Sequence, residues 1–331
     1  MTQIRESRLT ASTSQNTNGG DIEVVKTDTR FATNLDSIDD VLEPMRGVLV
    51  EKVPSYEPIR LLVHAPDPGP LRWERSLYQP RWSRTSVSTK QEESPISATL
   101  LAVTNEGWLV VSECEEGNVS VEECKFDDTL FLELTSLILW GELKIHFASV
   151  GRSYCAAMRF NTVTEGLYRE AIDLLLERID QARAQGVPKD DGDIFENWPI
   201  EFRTAALRYR PKSQRILAAM RWPSVVDGLR RTRCAAGALL VTERELVLIS
   251  QEKATGDIGV ITYFPLVRLW DFHISHQQRL SVLALEAHAK RGRERLEILL
   301  PGDYERALSK AMGNVFATNS NITRGSLMTA T

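Results

Sequence analysis

The chain has 331 residues, 42% hydrophobic and 26% charged, which gives the length for two domains and the apolar material for a core in each. A net charge of -5 excludes a general nucleic-acid binder, which needs a basic footprint. The four cysteines (Cys114, Cys124, Cys155, Cys234) include no C-x-x-C pair, which excludes zinc-type spacing and a disulfide framework and fits a reducing, cytoplasmic compartment.

The first residues, rich in Ser, Thr, Asn and Gln, hold no apolar signal segment and predict a disordered leader over 1–34. From Ser37 to Val50, residues Ile38, Val41, Leu42, Met45 and Leu49 share one helical face behind an N-cap serine. Val103 to Trp108 joins two apolar runs through a polar, Gly-containing turn, a hairpin signal. The runs are continuous rather than alternating, as in strands packed on both faces or in a tightly curled sheet. Strands are expected next at 120–126, 130–134, 143–147 and 156–160. Thr162 three residues before Glu165 reads as a capping box, and Tyr168, Ala171, Ile172, Leu175 and Ile179 give the helix an apolar stripe.

The acidic stretch 186–197, punctuated by Gly186 and Pro188, reads as a linker. Beyond it, 199–207 forms a short helix with Phe202, Ala205 and Ala206, and strands are expected at 238–250, 259–264, 269–274, 280–285 and 295–300. A last helix starts at Asp303 as N-cap and carries Tyr304, Leu308, Ala311, Met312 and Val315. The polar tail over 317–331 is expected to be flexible. No apolar run approaches the ~20 residues of a transmembrane helix.

The second half repeats the first. Thr104 falls on Thr242 and Phe126 on Phe264 at an offset of 138; Phe160 on Leu296, Tyr168 on Tyr304 and Ala171 on Ala307 at 136; Pro54 on Pro211 and Pro66 on Pro223 at 157. The difference of 19 residues (157 − 138) is an insertion in the first copy, a long polar loop near 78–95. The expected modules therefore span 35–185 and 198–316.

Leu239 to Ser250, followed by Tyr263-Phe264-Pro265-Leu266-Val267-Arg268-Leu269, resembles the bacterial pleckstrin-homology-like families. Leu101 to Ser112 keeps the first part of that pattern, and Phe126-Asp127-Asp128-Thr129-Leu130 loses the proline. The resemblance implies a mainly β, α+β chain of two such modules, each a bent antiparallel sheet or partly open barrel closed by a C-terminal helix. It implies binding rather than catalysis, and in lipid-binding members basic residues of the first hairpin grip phosphates.

In that hairpin of the second module lie Arg221, Arg231 and Arg233, the last two on one strand face by alternation. The bland reading is a strand edge kept soluble by charge. The first module offers Arg72, Arg75, Arg81 and Arg84 among Trp73, Tyr78 and Trp82, either an interface for a peptide or membrane or a loop tucked onto its sheet. His273 and His276, three apart near a strand, do not make the ligand set of a metal site. No hydrolase, zincin, P-loop or dinucleotide motif occurs, and Cys155 and Cys234 read as buried thiols. The expectation is a non-enzymatic binding or scaffold protein without cofactor or metal, taking a protein or peptide partner. The alternatives are an anionic lipid bound peripherally through the arginines and an enzyme with its site between the modules.

Overall fold

The computed structural model describes residues 31–54, 57–66, 98–114, 118–137, 139–180, 192–211, 214–228, 232–251, 258–277 and 279–318. The chain is mainly β, with four α-helices and antiparallel sheets among the described residues. No sheet of the described residues closes into a barrel.

The N-terminal half opens with β1 (Thr33–Asn34), a 3-10 turn (Ile38–Asp40) and α1 (Met45–Lys52). Four strands follow: β2 (Leu61–Ala65), β3 (Thr99–Val103), β4 (Gly107–Glu113) and β5 (Val119–Lys125). With β1 they form one sheet in the order β1-β2-β3-β4-β5. After a 3-10 turn (Phe126–Asp128) come β6 (Thr129–Ser136), β7 (Trp140–Ser149) and β8 (Arg152–Asn161), then a turn (Thr162–Thr164) and α2 (Glu165–Ile179).

The C-terminal half runs in a similar order, without a described counterpart of β1 and with an added two-stranded ribbon. It has α3 (Ile200–Tyr209), β9 (Ile216–Trp222), a small ribbon of β10 (Val225–Val226) and β11 (Thr232–Cys234), then β12 (Gly237–Thr242), β13 (Glu245–Gln251) and β14 (Ile258–Pro265). A 3-10 turn (Leu266–Arg268) leads to β15 (Leu269–Gln277), β16 (Leu280–Ala289) and β17 (Gly292–Pro301), and a last turn (Gly302–Tyr304) to α4 (Glu305–Thr318).

The continuous apolar runs are strands buried on both faces. On β3, Leu100 and Ala102 pack under α1 with Met45 and Leu49, whereas Leu101 and Val103 face the core that includes α2. On β12, Ala238 and Leu240 share that core with Phe202 and Ala206 of α3, and Leu239 and Val241 face a second core with Leu308 and Met312 of α4. The strand period of two sends alternate residues to opposite sides, and here each side has a helix or sheet to meet.

The halves are not separate bodies on a linker. Strands β6, β7 and β8 join β9, β12, β13 and β14 in one seven-stranded sheet, ordered β8-β7-β6-β14-β13-β12-β9. The seam pairs Val260 with Thr135, Ile261 with Leu134, Thr262 with Glu133, and Tyr263 with Leu132. Strands β15, β16 and β17 stand apart as a three-stranded sheet. Within the expected linker, Phe195 is fully buried in the main core and meets the Trp198 ring edge-on at 4.9 Å. An apolar anchor of that size is incompatible with a free tether.

Several local expectations are corrected. The helix expected over 37–50 breaks at Pro44, which carries no N–H and disfavours helical backbone before it. Ser37 does cap, but it caps the 3-10 turn with Asp40. Asn161 caps the 3-10 turn before α2, accepting from the Val163 N–H, α2 itself starts behind Thr164 without a side-chain cap, and the Thr162/Glu165 box does not form. Asp303 lies inside a 3-10 turn rather than at an N-cap. The end of the expected leader joins the first sheet, Thr33 pairing with His64. The loop near 78–95 and residues from 319 onward lie outside the described residues.

The spacing between strands of like position in the two halves differs from the offset expected of a repeat. It is 138 through β4 and β13, where Gly107 and Glu245 begin the strands, and 140 from β5 onward, where Lys125 pairs with Gly107 and Pro265 with Glu245. The two extra residues are one in the turn before β14 and one at its bulge beside Ser250 and Gln251. At 140, Phe160 matches Leu300, Tyr168 matches Leu308, and Ala171 matches Ala311.

Candidate functional site

Of the basic residues singled out in the sequence, Arg221 and Arg233 fall among the described residues. Arg221 sits on β9 opposite Ala238, half-buried. Arg233 sits on the β11 ribbon, exposed, with its Nε donating to Asp227 Oδ2 at 3.0 Å. The two therefore belong to different sheets, and the guanidinium expected to await a phosphate has a carboxylate partner. Asp227, which decides this, carries no signal in the sequence that ties it to Arg233. Arg231 lies outside the described residues, as do Arg72, Trp73, Arg81 and Trp82 with their neighbours Arg75, Tyr78 and Arg84.

A largely buried polar cluster stands on the first-half side of the seam. His146 of β7 stacks on Phe131 of β6 with ring centroids 4.1 Å apart. Its Nε2 is 3.2 Å from Glu133 Oε2 and 4.0 Å from Cys155 Sγ, and its Nδ1 is 3.5 Å from Glu294 Oε2 of β17. The last distance is an ion pair without a hydrogen bond. Burial alone would lower the imidazole pKa, but the Cys155 sulfur and the Glu133 carboxylate hold it well above the ordinary value. Burial would raise Glu133, and the facing imidazolium turns that into a lowered value. Cys155, His146 and Glu133 lie on neighbouring strands of the first half, and the contact of His146 with Glu294 ties them to β17 of the second. Glu133 carried the only visible signal, a lone acid inside the apolar run LFLELT.

His273 and His276 lie on β15, where a separation of three turns them to opposite faces. His276 Nε2 is 2.6 Å from Glu305 Oε2, and Ser281 Oγ lies 3.2 Å from its Nδ1. Among the described residues no group of three His, Cys, Asp or Glu side chains is placed to hold a metal ion. No helix among them is long and apolar enough to cross a membrane.

The least expected surface is the outer edge of β15, which ends its sheet. Trp270 is the extra residue of a bulge between Leu269 and Asp271 and is 54% exposed. It meets the His288 ring edge-on at 5.1 Å, and Val267 nearby in sequence is equally exposed. Leu130, the bulge residue of β6 at the matching position, is 0% exposed and belongs to the C-terminal core. Strand β5 likewise ends its sheet, with Ser120, Glu123 and Lys125 exposed and Glu122 half-buried. Burial pushes the Glu122 carboxyl up.

No family model matches the chain, and no curated protein sequence matches it.

Proposed function

We propose that the chain is a non-enzymatic binding protein of two pleckstrin-homology-like modules, and that it takes a protein or peptide partner as an added strand on the edge of β15. The twofold recurrence of four strands, three strands and a helix supports the module reading. In each recurrence the helix packs into the adjoining core, α2 through Tyr168 and Ile172 and α4 through Leu308 and Met312. Trp270 carries the binding reading. A large aromatic side chain, half in water beside an open strand edge, has the character of an interface anchor.

The test is selection of extended peptides from a displayed library on the purified protein. Selected peptides are expected to lose about tenfold or more in affinity for Trp270→Ala, the size of an anchor contribution. Peptides indifferent to that substitution would remove β15 as the site. The lipid reading draws on Arg221, Arg231 and Arg233, and the Asp227 ion pair weighs against it. Flotation with anionic vesicles, abolished in Arg231→Glu/Arg233→Glu, would restore it. An enzyme site between the halves has less room in its favour: Phe131 and Phe264 stack across the seam at 5.9 Å.

A further inference from the structure

The seam inside the molecule can be set beside its two open edges. It joins the first strand of one three-stranded group, β6, to the last strand of the other four-stranded group, β14. At the 140-residue offset, the counterpart of β6 is β15 and the counterpart of β14 is β5. Each of these counterparts ends its sheet among the described residues. One chain thus carries one such joint made and the two halves of a second joint unmade. Because β5 lies in the first half and β15 in the second, another copy can supply the missing member of each.

We propose that the β15 edge of one molecule pairs with the β5 edge of a second copy of this chain, head to tail, in the register of the internal seam. The inference rests on reading β15 as a docking edge and names its occupant. Shifting the internal pairs by 140 sets Ser120 opposite Ser275, Val121 opposite Ile274, and Glu122 opposite His273. The last pair puts a carboxylate against an imidazole where the internal seam has Glu133 against Thr262. An imidazole meets a carboxylate as a hydrogen-bond donor or as a cation. Trp270 stands where Leu130 stands in the internal seam, and Leu130 is the side chain that enters the neighbouring core. The edges also differ from their covered counterparts in the way an intermittent contact requires. Strand β14 reads IGVITYFP and is nearly all buried, whereas β5 reads VSVEECK and alternates with solvent. Such charge keeps an open edge from indiscriminate pairing and leaves it selective for a complementary strand. A joint of this kind is heterologous, so it closes into a ring or continues as a filament according to the rotation between copies.

Sedimentation velocity over a concentration series tests the pairing. Wild type is expected to grow in mass with concentration. His273→Glu sets like charges in register, Glu122→Lys removes the carboxylate that faces the imidazole, and each is expected to weaken association by about tenfold. An equimolar mixture of the two variants is expected to recover the concentration-dependent growth of wild type, since the new lysine on the β5 edge of one then faces the new glutamate on the β15 edge of the other. Glu122 is half-buried, so a second readout that spares the fold is included. Ser120→Cys mixed with Ser275→Cys should cross-link between chains under mild oxidation beyond either variant alone. Wild type that stays monomeric up to its solubility limit, or association indifferent to both charge reversals, overturns the proposal. Peptide binding that persists at Trp270 in such a monomer would leave β15 as a binding edge and remove only the second copy as its occupant.

Discussion

His146 is held in the interior by groups from β6, β8 and β17, and the cost of that placement can be read by pH. Removing it leaves Glu133 and Glu294 buried without their cation, so His146→Ala is expected to destabilise the protein by about 3 kcal/mol near neutral pH. A raised folded pKa means that the imidazolium contributes fully below its unfolded value of about 6.5 and loses the contribution as pH rises through the folded value. The lowered Glu133 works in the other direction, its share vanishing as pH falls through its depressed folded value. Urea midpoints of wild type and variant should therefore lie furthest apart in mildly acidic solution and converge toward both extremes; a gap that widens at alkaline pH would contradict the ion pair. Glu165 shows why such residues resist sequence reading. Its spacing from Thr162 suited a local cap, yet its side chain turns inward to accept from Ser136 Oγ at 2.6 Å and Tyr209 Oη at 3.3 Å and to meet Arg208 at 2.9 Å. A carboxylate at the start of a helix serves a local or a distant donor equally well, and spacing along the chain does not distinguish them.

The β7–β8 hairpin closes on Val150 and Gly151, both with positive φ, at 49° and 77°. That is the geometry of a tight two-residue hairpin turn, and a β-branched side chain is ill suited to it. Val150 is 88% exposed, so nothing in the packing demands it. Val150→Asn is expected to stabilise the protein by about 1 kcal/mol, read as a higher denaturation midpoint at unchanged slope. Strands were the most legible elements, because runs such as LLAV and LLVT leave little choice of structure. The helices were found but matched one turn out of place. Tyr168 over Tyr304 and Ala171 over Ala307 looked right because an apolar stripe nearly repeats itself after four residues. Backbone pairing fixes the match instead, and Tyr304 falls in the turn before α4.

At the scale of the molecule, the two halves read as separate in the sequence share one seven-stranded sheet. Pairing of β6 with β14 leaves no signature in either strand that names its partner. The visible hint was comparative: β14 is apolar where its counterpart β5 is acidic, and only one of them is covered. Other ties reinforce the seam. Arg268 donates to the carbonyls of Thr129 and Phe126 at 2.9 and 2.8 Å, and Arg244 pairs with Asp180 at 3.2 Å. A fragment ending at 180 should therefore expose the apolar edge of β6 and aggregate, and co-expression with the remainder should return it to the soluble fraction. A soluble, folded fragment in circular dichroism would show that the first half closes without its partner.

The shared sheet also sets a schedule for biosynthesis. Strand β14 begins 129 residues after β6 (258 − 129). At a ribosome's pace of roughly 5–20 residues per second, β6 emerges about 6–26 s before the strand that covers it. For that interval the edge of β6 in the nascent chain lacks the strand that covers it, and a chain stalled between the two is expected to be more prone to aggregate than the finished one.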